Sequence, residues 1–321
     1  MNTPRLAITA TAILTSMIAL TACSPDGQAN ETGAGDVVRI GTLKGQPHLM
    51  HPYFYEDVDS DTTYEIVTFD TSPDIKNAVV SGAIDAGIAG LPSAIAGAAA
   101  GQDVVVVASA ADGGSGIVGR DGLTDINDLA GLKVGYSKGS SQEILLRLTL
   151  AAAGLDAETD VELVNLPFAD MASALQAGRI DAFSSAETGP ATALQAGATN
   201  VASPYETPIG AVNIALYVAG DTITEDPEFV QELVNTHANA TELMDSDHDE
   251  WITRLVDTFG VDEAVARQAS ENVWLRWDID EDYTTKVTAL TSEMLTHAQI
   301  DTEPQVSDFV NTTFVSAVTV N

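Results

Sequence analysis

Three strand-to-helix turns in this sequence are rich in hydrogen-bond donors, and donors in that position bind anions. The richest is Lys138-Gly139-Ser140-Ser141, which follows a β-branched run at 133–136 and opens a helical run at 140–153. A glycine turn, two hydroxyls and the unpaired amides of a helix start all present hydrogens there, with Lys138 beside them. That chemistry suits a sulfonate, a nitrate or a carboxylate. The competing explanation is a capped helix whose serines serve only the backbone. A nucleotide P-loop does not fit, because the second glycine and the terminal Gly-Lys-Ser/Thr are missing.

Gly90-Leu91-Pro92-Ser93 is the second turn, again leaving a strand and opening a helix, with Ser93 adding a hydroxyl. It is either an anion site or a plain helix cap. Lys44-Gly45-Gln46-Pro47-His48 is the third, after the first strand. Gly45 lets backbone approach closely. Gln46 offers a donor and an acceptor. Tyr53, Phe54 and Tyr55 either wall a pocket or fill the core. Glu187 sits at one more such turn, Ala186-Glu187-Thr188-Gly189-Pro190. It is either a contact for an amine or ring N–H of a ligand, or a first-turn acid favoured by the helix dipole.

Other chemistries are excluded. The 321 residues carry 13 Lys+Arg against 47 Asp+Glu, a net charge of −34. So few scattered cations cannot displace counterions from nucleic acid, nor make a basic membrane-surface helix. A 45% hydrophobic content is that of a globular protein. One cysteine makes neither an internal disulfide nor a cysteine zinc site. His48 and His51 are flanked by Pro47 and Pro52, with no acid or cysteine completing a tetrahedral set, so no metal is predicted. Asp245, Asp247, Asp249 and Glu250 lack the calcium-loop glycine and spacing and read as a solvated helix start. No Gly-x-Ser-x-Gly elbow stands between strand and helix, and Gly113-Gly114-Ser115-Gly116 does not supply one. No catalytic residue and no cofactor are predicted.

The elements that must position these turns alternate. Strands are read at 37–42, 64–69, 83–89 and 103–108, with helices at 72–81 and 91–100. The rhythm restarts with a short helix at 125–130. Strands then follow at 133–136, 161–166 and 180–184, with helices at 140–153, 169–177 and 190–196. Such β-α repetition predicts parallel strands covered by helices. Beyond residue 221 amphipathic helices dominate, at 226–245, 249–259, 261–270, 280–298 and 307–318. Two segments echo each other: Val80-Ser81-Gly82-Ala83-Ile84-Asp85-Ala86 and Leu175-Gln176-Ala177-Gly178-Arg179-Ile180-Asp181-Ala182. Each is a helix end, a glycine at the cap and an Ile-Asp-Ala strand. They read as equivalent units of two similar lobes.

The first residues form an address. Arg5 precedes an uncharged apolar run at 6–20, too short for the roughly 20 residues of a membrane span. Leu20-Thr21-Ala22-Cys23 then resembles the lipobox of bacterial lipoproteins, with the only cysteine where that pattern needs it. Residues 1–22 are thus expected to be a signal peptide, Cys23 the lipidated residue, and 23–36 a flexible tether.

Across 37–298 the sequence resembles the solute-binding lipoproteins of ABC importers of the nitrate, sulfonate and taurine type. The matching stretches are Arg39-Ile40-Gly41 with Lys44-Gly45, Val80 to Asp85, Gly90-Leu91-Pro92, Asp128 to Gly135, and Lys138-Gly139-Ser140-Ser141. The resemblance implies an α/β, two-lobed periplasmic-binding-protein-like fold of type II. Each lobe is a mixed sheet flanked by helices, with the ligand cleft between. Lobe one would be 37–117 plus 214–321, the latter holding a return strand and the C-terminal helices, and lobe two 118–213. Crossovers are expected near 113–119 and 204–212, with the glycines at 113–116 as a hinge. The site would comprise Lys44, Gly45, Gln46, Leu91, Pro92, Ser93, Lys138, Gly139, Ser140, Ser141 and Glu187. Implied partners are a small-molecule ligand, an ABC permease, and the membrane through the lipid on Cys23. No nucleic acid is expected, and the protein is read as a monomer. The alternatives are a binding protein for a thiamine pyrimidine precursor, or a sensor or enzyme on the same fold. The branch that makes that pyrimidine uses cysteine-rich motifs absent here. An enzyme would need a buried acid/base pair, for which Glu187 with His48 is the nominee.

Overall fold

Val37–Leu43 (β1) pairs in parallel with Thr63–Phe69 (β2), in register from Val37/Thr63 to Leu43/Phe69. The computed structural model describes residues 37–320. The segments read as a signal peptide and a tether, and Cys23 with them, lie outside those residues. Between β1 and β2 the chain makes two 3-10 turns, Pro47–Leu49 and His51–Phe54, each with a proline in its first turn, and the short helix Tyr55–Val58 (α1). Helix Ser72–Val80 (α2) follows. Its cap is Thr71, whose side chain accepts from the Asp74 amide. Ser72 is thereby released to accept from the Gly90 amide at 3.2 Å. Ala86–Gly90 (β3), Leu91–Ala99 (α3) and Val105–Gly113 (β4) complete the first run.

Gly114 alone separates β4 from Ser115–Gly119 (β5), which belongs to a different sheet. The glycine-rich stretch is therefore not a loose loop but one residue between two strands. Lys133–Tyr136 (β6), Ser141–Ala152 (α4), Glu162–Asn165 (β7), Phe168–Gln176 (α5), Ala182–Ala186 (β8), Thr188–Gln195 (α6) and Thr199–Ala202 (β9) build the second unit. The chain returns through 203–211 into Val212–Val218 (β10). Helices Gly220–Glu225 (α7), Pro227–Ser246 (α8), His248–Phe259 (α9) and Glu263–Ser270 (α10) come next. Strand Val273–Leu275 (β11), Glu281–Thr296 (α11) and the single turn Val306–Phe309 (α12) end the fold. The helix read at 307–318 is not formed. Val310 leaves α12 to bridge Val106, and only a 3-10 turn at Val315–Ala317 follows.

The two sheets share one plan. The first runs β11-β4-β10-β3-β1-β2 and the second β7-β6-β8-β5-β9. In each, three parallel strands are joined by an antiparallel fourth, β10 or β5, which arrives from the crossing between the sheets. The echoed aspartates occupy matching places. The Arg39 amide donates to Asp85 at 2.7 Å while the Asp85 amide donates to the Arg39 carbonyl. The Lys133 amide donates to Asp181 at 3.1 Å while the Asp181 amide donates to the Lys133 carbonyl. Each aspartate thus fastens the strand entering a sheet to its parallel neighbour.

Strands β3 and β10 are buried throughout, and their continuous apolar runs reflect helices on both faces. The core of the first sheet also takes in Ile144, Leu145 and Leu148 of α4, while Leu146 and Leu150 of the same helix pack into the second. Helix α4 therefore belongs to both lobes. A second interlobe contact sets Ala191 of α6 against Val265 and Ala269 of α10.

Gly114 has φ +67°, and a Cβ there would lie 2.7 Å from His48 Nδ1. Backbone strain and this clash act together, so Gly114→Ala should lower unfolding free energy by about 2 kcal/mol in urea titration.

Candidate functional site

The turn before α4 and the turns before α2 and α3 face one another across the two sheets. Between them lies a cavity of about 20 Å³. His48, Ser72, Gly90, Pro92 and Asn213 line it from one side, and Gly139, Ser140, Ser141 and Gln142 from the other. This is room for about one water or a compact head group and no more. Leu43 and Phe168 border both this cavity and a wider mouth of about 780 Å³. Phe69, Phe168, Phe259 and Val261 give the mouth apolar walls. Lys44, Lys138 and Asp70 supply its charges.

The predicted site residues are divided by this geometry. Gly139, Ser140, Ser141 and Pro92 line the deep cavity. Lys44, Gly45, Gln46 and Lys138 line the mouth. Gln46 Nε2 donates across the cleft to Thr188 Oγ1 at 3.3 Å. Leu91 and Ser93 line neither, since Leu91 is core and Ser93 donates to the Gly90 carbonyl at 2.8 Å. Tyr55 and Phe54 are core as well, and Tyr53 packs edge-on against Phe259. The aromatic walls are instead Phe69, Phe168 and Phe259, which the sequence reading passed over. Phe69 ends β2 and Phe168 opens α5 three residues after β7, so the carboxyl ends of parallel strands were the available signal.

The two serines before α4 have separate duties. Ser140 caps the helix: its Oγ accepts from the Glu143 amide at 3.2 Å and donates to the Ser137 carbonyl at 2.6 Å. Ser141 is 1% exposed and its Oγ has no partner. Of the pair, only Ser141 has a hydroxyl to spare for a ligand. Glu143 was not anticipated. Its buried carboxylate accepts from the Gly139 amide at 2.8 Å and pairs with Arg147 at 3.1 Å. One negative charge thus already occupies the start of α4, balanced by Arg147 and not by any cation lining the cavity.

Glu187 lies elsewhere, lining neither cavity. It is 5% exposed, beside the first crossing, and accepts from Asn272 Nδ2. The same Asn272 amide donates to the Ser115 carbonyl at 2.9 Å, which also accepts from the Tyr205 hydroxyl at 2.8 Å. Burial pushes the Glu187 carboxyl up to about 8 against the pull of Asn272. It is therefore a neutral acid at pH 7.

Three histidines are buried nearby. His237 is fully satisfied: Nε2 lies 2.8 Å from the Ser109 carbonyl and Nδ1 2.9 Å from the Tyr55 hydroxyl. His51 stacks on His237 with centroids 4.8 Å apart. His48 instead borders the deep cavity. Burial lowers all three below the usual imidazole range, His48 to about 3 and His237 to about 4. Among the described residues no three His, Cys, Asp or Glu side chains come together as a metal site. No described helix is long and apolar enough to cross a membrane.

Two α/β lobes of one plan, two crossings and a donor-lined cleft define a protein of the bilobal periplasmic solute-binding fold. The chain belongs to the NMT1-like family, which it matches over residues 40–255. It is 27% identical to a putative aliphatic sulfonates-binding protein of Escherichia coli K12, over 70% of this chain and 72% of that one. In fold it resembles the alkanesulfonate-binding protein SsuA of Xanthomonas axonopodis pv. citri bound to MOPS. The TM-score is 0.75 at 23% identity, covering 86% of this chain and 98% of that one. The desulfurization enzyme DSZB also shares the fold, with a TM-score of 0.67 at 17% identity over 88% of this chain and 98% of that one. The architecture therefore hosts both binding proteins and an enzyme.

A carboxyl whose folded pKa lies above its unfolded value makes folding take up a proton between the two. Stability from Glu187 is therefore full below about pH 4.5 and is lost as pH rises through about 8. Glu187→Gln should be progressively more stable than wild type across that window in urea unfolding, with the gap levelling off above it. A gap independent of pH would mean that Glu187 is ionised in the folded protein.

Proposed function

We propose that this protein is the extracytoplasmic solute-binding component of an ABC importer, and that it captures a small sulfonate or related oxyanion between its lobes. The observation that carries the reading is the unpartnered, buried Ser141 hydroxyl at the start of α4, facing the turns of α2 and α3 across a cavity of head-group size. Hydroxyl and helix amides are donors suited to an oxyanion. The apolar mouth would take an organic tail. A bare nitrate would use only the deep end.

Transport requires capture and release, and no bond is broken. Lobes separating about Gly114 and 203–211 would open the cleft, and ligand contacts to both sides would favour the closed form. Measured affinity is then the intrinsic affinity reduced by the cost of populating that form. Binding without turnover is favoured by the partner of the nominated acid, since Glu187 accepts from Asn272 and not from His48. The sulfonate-binding relative and the sulfonate-bound fold neighbour support the same choice.

In thermal-shift titration of the mature protein, 1-butanesulfonate should raise Tm by mass action and nitrate should do so more weakly. Ser141→Ala should weaken binding about tenfold, the cost of an unmet hydrogen bond to an anion. Ser140→Ala should instead lower stability by about 1 kcal/mol through the lost cap. No shift with any sulfonate or nitrate would sink the reading. Lipid anchoring at Cys23 has its own test. Wild type should partition into the detergent phase of a cloud-point extraction and Cys23→Ser into the aqueous phase. Equal partitioning would rule the anchor out.

A further inference from the structure

His48 is a buried imidazole without a job in the fold. It is 1% exposed, and its Nδ1 is buried with no hydrogen-bond partner among the described residues. Burying such groups unpaired is costly, and a phenylalanine would fill the space without that cost. The contrast with His237 is internal to the molecule: equally buried, it has both nitrogens satisfied. His51 differs: it interacts with the Ala110 backbone, stacks on His237, and does not line the deep cavity. His48 borders the deep cavity, which also holds the orphaned Ser141 hydroxyl from the opposite lobe. Two unpartnered polar groups on opposite walls of one small cavity mark a place for a third, hydrogen-bonding party.

The ring's surroundings settle which nitrogen faces it. Nδ1 is packed against Gly114, so closely that a Cβ at that position would lie 2.7 Å away. The glycine CH₂ accepts no hydrogen bond, so a proton on Nδ1 would be stranded. The proton belongs on Nε2, the nitrogen left facing open space. We propose that His48 is a ligand-binding residue: its Nε2–H donates to an oxygen of the solute's anionic head, opposite the Ser141 hydroxyl. This rests on the reading of the cleft as an oxyanion site and names the contact from lobe one.

The imidazole is neutral there, because burial holds its pKa at about 3. It therefore supplies direction without charge. With Glu143 already placing one negative charge at the start of α4, a cavity of neutral donors suits a singly charged, weakly basic oxyanion.

The experiment is calorimetric titration of the mature protein with 1-butanesulfonate, for wild type and for His48→Ala, His48→Gln and Ser141→Ala. His48→Ala should weaken binding about tenfold. His48→Gln, whose amide N–H reaches a similar position, should bind nearly as wild type does. Unchanged affinity in folded His48→Ala, with Ser141→Ala weakened, overturns the role of His48 and leaves the cleft reading intact. No binding by wild type overturns that reading and this inference with it. Should His48→Ala not fold, NMR of wild type decides. The imidazole N–H resonance of His48, assigned by its loss in His48→Gln, should move on addition of 1-butanesulfonate, and a stationary signal overturns the proposal.

Discussion

One residue, Gly114, carries the chain from one sheet into the other, and the cleft depends on how little space it takes. Strands β4 and β5 run into each other through it, with no other residue between the two sheets at this crossing. Its amide donates to the Asn272 carbonyl at 2.7 Å, and the Asn272 side chain reaches on to Ser115 and Glu187. The crossing is thus bound on one side to the strand-and-helix return of lobe one and on the other to the start of α6. His48 fills the remaining side. A larger residue at 114 would push on the very ring that borders the deep cavity, so the geometry of the crossing and the space of that cavity are one constraint.

Within each lobe the organising contact is an aspartate at the mouth of a parallel strand pair. Asp85 and Asp181 were visible in the sequence as an echo, although not as bonds. Their positions show why the echo exists: each accepts from the amide of a neighbouring strand and donates its own amide back. Ionic pairs to Arg39 at 3.6 Å and Arg120 at 3.0 Å add to this at the surface, where such pairs contribute little. The backbone exchange is the conformationally specific part.

The β-α rhythm was legible because helices and buried parallel strands impose their own periods. The crossing strands were harder. Ser115–Gly119 is a short run with three small residues, and it resembles a glycine loop until the sheet around it is known. Strand β10 was foreseen only as a return strand. Strand β11 is three residues long and owes its form to β4 alone. The helix read at 307–318 failed because Val310 finds a partner in Val106, a long-range contact that local pattern does not encode. The donor turns were legible by residue type, but not which donors are free. Ser140 against Ser141, and Glu143 as the acceptor of Gly139, depend on one turn of helix geometry. Glu187 was legible as an acid at a strand-to-helix turn, yet its side chain turns to Asn272 at the crossing, while Ala186, Thr188 and Gly189 of the same turn line the cavity and its mouth.

The placement of β10 bears on the order of assembly. The second sheet is built wholly from residues 115–202, so its contacts are comparatively local. The first sheet is not, because β10, from residue 212 onward, sits between β3 and β4. Until that strand arrives, β3 and β4 have a gap where their shared neighbour belongs. A chain emerging N-terminus first therefore has every strand of its second sheet in hand before the first sheet can close. The early half waits, unpaired at its centre, for a segment more than a hundred residues later, and local contacts form faster than such distant ones. Closing the first sheet is thus a long-range event that joins strands preceding the second lobe to one that follows it.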